Sequence, residues 1–493
     1  TVHSSLALAI NTTFSADSGN LYFYGPISFG GNATFLTVNG SADTYIPGNI
    51  SGNGGLSKRG TGTLWLSGTN SHLGNTTIHG GNLIVQGGAA LLNSGTVTLK
   101  SANATFTIGV SETIGSLQGG GTTAINSGQA LTIAQTGNTT YSGSIVGAGA
   151  LYLTGNGTLT LSGNSTYSGY TMMQTGTLVL AGTNAAGSGR IDQSGAGPSL
   201  LQIATTGTIT NNMTVQNLLA TQSATLAGGI FLGNAVMNVQ SGATLTLSGS
   251  LDSDGALTKT GNGTLALNGN IPFSGGINVN SGTLIGSSTN LSGLRQNNGT
   301  VEFLQNTNGT ISNSIISGTG SLIKSGSGTL RLDGTTSYLS GTTTVASGTL
   351  ASSFLPNSTL ILQPGAAYSP GAVNSIGIAY VGGITLNGGD LLYNLGNATS
   401  DLINSSGAAA LNGPVVFEFS NLGYSAGNFT LLTGNGVSSF NTANLSYNAA
   451  GNFSVTGNFV VSGNSLLFQT TAPDDYTWDG GAGNGSWNAA ANW

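Results

Sequence analysis

A single phrase recurs four times along this chain, and any fold proposed for it must repeat as well. From Gly147 to Leu180 it reads GAGALYLTGNGTLTLSGNSTYSGYTMMQTGTLVL. From Gly54 it is GGLSKRGTGTLWLSGTNSHLGNTTIHGGNLIV, from Gly255 GALTKTGNGTLALNGNIPFSGGINVNSGTLI, and from Gly320 GSLIKSGSGTLRLDGTTSYLSGTTTVASGTL. Each copy holds two short runs, such as Thr158–Leu161 and Thr177–Leu180, that alternate a small polar residue with a large apolar one. That is the period of a strand with one buried face. No helical period appears, so a β-strand repeat architecture is the first candidate. The leucines opening the copies, Leu56, Leu151, Leu257 and Leu322, are unevenly spaced. A propeller or an ankyrin-type array would keep an even period, whereas a β-solenoid absorbs whole inserted coils. Shorter echoes begin at Ser94, Ser127 and Ser241, each a turn followed by one strand.

The physical logic follows from strand spacing. One coil of roughly 20–25 residues cannot bury its inward face alone. Stacked coils pair at about 4.8 Å and bury one continuous apolar column, so about twenty of them would make a rod on the order of 100 Å. Gly and Asn supply the corners.

Composition narrows the function classes. Charged residues are 4% of 493, against about a quarter in an ordinary soluble domain. Such a surface has little charge to keep neighbours apart, and self-association into a homo-oligomer or filament is the expected partnership. Eight Lys and Arg spread along the whole chain make no basic patch in the sequence, so nucleic acid is not an expected partner. The absence of cysteine removes disulfides, zinc-thiolate sites and thiol catalysis. No apolar run approaches the ~18 residues of a transmembrane helix. The start, Thr1-Val2-His3, reads as a processed or cut end, and Leu6–Ile10 is too short and lacks the basic flank of a signal peptide.

Four regions are expected. Residues 1–53 carry N-terminal strands, with Tyr22, Phe23, Tyr24 and Phe29 as a cap or as ordinary core aromatics. Residues 54–351 are the solenoid array. Residues 352–472, with the long apolar stretch Val415–Phe419, form a C-terminal β-region, either the end of the solenoid or a small sandwich. Residues 473–493 are a tail holding Trp478, Trp487 and Trp493, expected to contact a neighbouring subunit or to open a further module.

Candidate chemistry is sparse. Lys58, Lys259 and Lys324 occupy one repeat position where the fourth copy has Leu153, which reads as a half-exposed site with the aliphatic stem covering apolar surface. Asp252 and Asp254 could pair as an acid couple or share a calcium, but a turn is the simpler reading. Asp474, Asp475 and Asp479 read as a solvated linker. His72 and His79 flank one turn, their repeat equivalents are not His, and His3 stands apart, so no metal site is expected. Asn-x-Ser/Thr sequons, among them Asn11, Asn75, Asn138, Asn164 and Asn262, are as frequent as composition alone would give.

The phrases LTKTGNGTLAL from Leu257, GNSTYSGYT from Gly163 and GTLVL from Gly176 resemble the autotransporter-associated β-strand repeat of bacterial autotransporter-like surface proteins. Ser369-Pro370-Gly371 and the Trp-rich tail resemble sequences that accompany it. The resemblance implies a right-handed parallel β-helix, export, and a cell-surface or extracellular location. It brings no catalytic residues, cofactor or metal. The expected function is a non-enzymatic structural protein, an adhesin stalk or a fibre subunit joined end to end or through its tail. The alternative is a carbohydrate-active enzyme or carbohydrate-binding protein on the same fold, with cell-surface polysaccharide as its partner.

Overall fold

A computed structural model describes residues 1–30, 34–195, 197–269, 276–312, 315–333, 336–371, 375–450 and 453–470. The chain forms the expected all-β parallel β-solenoid, of about 18 turns. It divides into two units, Thr1–Ile285 and Gly286–Trp493.

In the first unit the coils begin with three faces. Phe35–Gly40, Gly55–Lys58, Thr76–Ile78 and Thr96–Leu99 stack in parallel on one face. Thr44–Ile46, Thr63–Leu66, Gly81–Val85 and Ala104–Ile108 stack on the second. Leu6–Leu8, Ile27–Phe29, Ile50–Gly52 and Ser71–His72 form the third. The register advances 20 residues from Leu36 to Leu56 and 21 from Thr76 to Val97, the coil length expected from sequence. Because the stacking is parallel and in register, alternation along a strand becomes columns across coils. Leu64, Leu83 and Phe106 form one such buried column and Leu66, Val85 and Ile108 the next.

The second unit stacks in the same way, but its coils widen. The register step is 21 residues from Val301 to Leu322, 24 from Leu360 to Ile384, and 30 from Val415 to Leu445. Wider coils enclose larger side chains. Phe417 lies 5.0 Å from Phe459, Phe419 4.7 Å from Phe468, and Tyr447 4.8 Å from Phe468, ring centre to ring centre. Here the ladder changes sense: Asn428–Asn435, Ser465–Thr470 and Gly457–Ser462 pair antiparallel. Residues 471–493, with Trp478, Trp487, Trp493, Asp474, Asp475 and Asp479, lie outside the described residues.

Candidate functional site

The recurring lysine is where the structure departs most from the sequence reading. Lys58, Lys259 and Lys324 are not half-exposed; they are 2%, 0% and 0% exposed. Each stands in an inward apolar column. Lys58 is stacked between Val38 and Ile78, Lys259 between Met237 and Val279, and Lys324 between Phe303 and Val345. The stem fills the place of a leucine, and the ammonium turns back to the corner that follows its own strand. There Lys259 Nζ donates to the carbonyls of Thr260 (2.8 Å), Gly261 (2.7 Å) and Ser281 (3.2 Å). Lys324 does the same with Ser325 (2.8 Å), Gly326 (2.9 Å) and Ser347 (2.9 Å), and Lys58 with Arg59 (2.6 Å), Gly60 (3.2 Å) and Gly80 (3.3 Å).

Three N–H donors meet three carbonyl acceptors, so the ammonium is fully used. Two of the acceptors lie in its own turn and the third belongs to the next coil, so each lysine clasps two coils together. Burial pulls each ammonium down from the ordinary 10.5 to about 8, with Asp43 opposing this at Lys58. The corner requires a glycine with or without the lysine: Gly176, in the copy with Leu153, has φ +79°, and a Cβ there would stand 2.5 Å from the Gly155 oxygen. Gly282 has φ +71°, and a Cβ there would stand 2.3 Å from the Gly261 oxygen and 2.8 Å from Lys259 Nζ.

The copy with Leu153 keeps the column, between Ile133 and Met173, and satisfies its corner differently. The Thr175 hydroxyl donates to the Gly155 carbonyl (2.8 Å), and the Gln135 amide to that of Thr154 (2.8 Å).

The other singled-out residues are dispersed. Asp252 is exposed on the strand Leu251–Ser253 and Asp254 lies in the bend after it. Asp252 lines a cleft of about 300 Å³ with Arg190 and Phe231. Asp192, Thr214, Phe231 and Asp252 occupy successive strands in register, which puts the backbones of the two aspartates about 14 Å apart, three strand spacings. Arg190 instead faces Asp192 at 3.7 Å and donates to the Thr214 hydroxyl.

His72 is fully buried with neither ring nitrogen hydrogen-bonded, and burial lowers it to about 4. His79 is half-buried at a coil corner, and His3 stacks on Tyr24 at 4.9 Å. The N-terminal aromatics split. Phe23 and Phe29 enter the core, while Tyr22, Tyr45 and Trp65 form a row of near-parallel rings one coil apart, with centres 4.7 and 5.8 Å apart. Of the sequons, Asn11 and Asn75 use their side-chain oxygens to accept the Thr34 and Thr96 amides, while Asn138, Asn164 and Asn262 are exposed.

Two buried carboxylates escaped the sequence reading. Glu112 accepts the Ala90 and Leu91 amides at 3.0 and 3.2 Å. Asp401 accepts the Gly377 amide (2.7 Å), the Asn394 amide (2.8 Å) and Asn394 Nδ2 (2.9 Å). Burial raises the pKa of both, and these amide bonds hold the rise back.

The three lysines with their acceptor carbonyls, and Leu153 with Gly155 and Thr175, fall inside four segments, 56–85, 151–183, 257–285 and 322–351, that match one family model, the passenger-associated-transport-repeat. The chain carries this repeat in four copies. The passenger-associated-transport-repeat implies a bacterial surface or extracellular location. Among solved structures, the Haemophilus influenzae Hap adhesin is similar over 95% of this chain at 15% identity, with a TM-score of 0.28. The match spans 64% of that adhesin chain. No curated protein matches this sequence. Among the described residues no helix is long and apolar enough to cross a membrane.

Proposed function

We propose that this chain is a non-enzymatic structural protein of the bacterial surface, whose stacked coils serve as an adhesin stalk or as the unit of a self-assembling fibre. The lysine clasp carries the reading. At the one position where the family repeat places a recurrent ionisable group, that group is consumed in tying coil to coil and has no donor left for a substrate. The low charge of the chain favours association between copies, since little like charge keeps them apart. The test is negative-stain electron microscopy of the purified chain over a range of concentrations. Filaments with a regular axial repeat support the fibre; discrete particles at every concentration overturn self-assembly and leave the stalk. Display of the chain on a non-adherent bacterium then tests the stalk, with adherence expected and its absence refuting an adhesive role.

A further inference from the structure

The chain has eight lysines and arginines, and three of them are spent in the clasps. Of the five that remain, Arg190 and Arg331 each face an aspartate two residues away, at 3.7 and 3.0 Å. Arg59, Lys100 and Arg295 have neither an ion pair nor a side-chain hydrogen bond among the described residues, and all three are exposed; Arg295 lies in the second unit, on Leu294–Asn297, which leaves Arg59 and Lys100 in the first. They are far apart in sequence but not in the fold. Lys58, Ile78 and Leu99 are register partners on three consecutive coils, so the residues that follow them, Arg59, His79 and Lys100, stand above one another at the same corner. The backbone confirms the step: His79 N donates to Lys58 O and Lys100 N to Ile78 O, each at 2.8 Å. Two permanent cations with an imidazole between them therefore form a straight row, one group per coil, about 4.8 Å apart.

We propose that this row binds a linear anionic polysaccharide, one carrying a carboxylate on its successive sugars, laid along the coil axis of the first unit. A single small anion would need donors converging on one point, but these diverge along a line. A polymer with regularly spaced charges meets all three. The neighbours bound the site. On the coil before, Asn39 stands below Arg59, and on the coil after, Gly120 stands above Lys100. Asp43 is the nearby acid, and its oxygens are engaged by the Thr63 amide at 2.9 Å and the Tyr45 hydroxyl at 3.5 Å. The Lys58 ammonium, behind the same corner, is held by its three carbonyls. Burial depresses the pKa of His79, Arg59 and Lys100 add to the fall, and carboxylates bound along the row would reverse the charge part of that effect and draw a proton onto the imidazole. The inference names a ligand class for the surface reading above, yet stands apart from self-assembly.

The test uses the whole chain, with polygalacturonate as the probe, neutral dextran as the uncharged control and single-stranded DNA as the competing polyanion. Native protein is expected to bind polygalacturonate at low ionic strength and to release it as salt is raised. Each of Arg59→Gln and Lys100→Gln is expected to weaken binding roughly twofold to fivefold, and the pair about tenfold. The charge-matched pair Arg295→Gln and Arg331→Gln is expected to bind like native protein. The His79 ring resonances should titrate at higher pH in the complex. Binding unaffected by the Arg59 and Lys100 pair, or no binding at low salt, overturns the site. Tighter binding of DNA than of polygalacturonate overturns the choice of ligand.

Discussion

Replacing Lys259 by methionine isolates the clasp, because the stem keeps its place between Met237 and Val279 and only the ammonium is lost. Two effects oppose each other. The lowered pKa shows that burial opposes the charge, a burden methionine does not carry. Against that, the Thr260, Gly261 and Ser281 carbonyls lose their donor, and a buried polar group left unpaired costs about 1–3 kcal/mol. The stranded carbonyls decide the sign, with a net loss of about 3 kcal/mol. In a unit of this size that lowers Tm by roughly 6 °C or more. Thermal melts followed by circular dichroism would measure it, and hydrogen exchange should show protection falling first in Leu257–Thr260 and Ile277–Val279. A Lys259→Met variant as stable as native protein, or more stable, would refute the reasoning: the charge would then be a burden, as buried ion pairs sometimes are. The Leu153 copy supplies a second check. Lys259→Leu combined with Ser281→Thr reproduces the Thr175 hydroxyl that serves the Gly155 carbonyl, and should regain part of what Lys259→Leu alone loses.

The same lysines set a pH response with a defined sign. Their folded pKa lies below the unfolded 10.5, so from about pH 8 upward the unfolded chain holds more protons and stability rises with pH, by at most about 1.4 kcal/mol per lysine per pH unit. Melts up to about pH 9.5, below the range where buried tyrosines begin to oppose the trend, should show the rise in native protein and its loss when all three lysines are methionine. His72, lowered from 6.5 to about 4, works in the acid range: its neutral form is what the fold accepts, so stability falls as pH drops below 6.5. His72→Leu should flatten that fall and, by removing an unpaired buried N–H, raise Tm at neutral pH. Asp401→Ala should cost about 3 kcal/mol by stranding the Gly377 and Asn394 amides, read as lost exchange protection at those two positions.

Alternation and repetition were enough to reach the solenoid, because both survive the projection of a stack onto a line. Thr158–Leu161 and Thr177–Leu180 announce strands by composition alone, and the structure pairs them directly, Leu159 on Leu178. What did not survive was anything depending on which residues stand above one another. The lysine looked half-exposed because Leu153 replaces it in one copy; the swap is compatible with full burial only because Lys259 finds three carbonyls at a corner that no sequence pattern displays. A usable signal was present nonetheless. In all four copies the position is followed two residues later by a positive-φ glycine and 23 or 24 residues later by another, Gly60 and Gly81, Gly155 and Gly176, Gly261 and Gly282, Gly326 and Gly348, so the glycines mark the inward corner whether lysine or leucine precedes it. Glu112 and Asp401 left no such trace. A lone acid gives no hint that amides converge on it.

The same projection explains why a chain with so few charges can still hold a charged row. In a parallel stack, residues one coil apart in sequence become neighbours, so Arg59, His79 and Lys100, separated by 20 and 21 positions, end in contact range. Counting cations along the sequence therefore underestimates local charge whenever their spacing matches the coil. The coil length in this part of the fold is fixed by the buried columns, through Val38, Lys58, Ile78 and Leu99, and not by the outward residues. An insertion of one residue between Lys58 and Ile78 would have to be taken up in a turn to keep Lys58 inside. The basic row would survive it, because each of its members is tethered one residue beyond a buried column position. The clasp and the row thus follow from one register: the inward residue holds the coils together, and the next residue is presented to whatever lies outside.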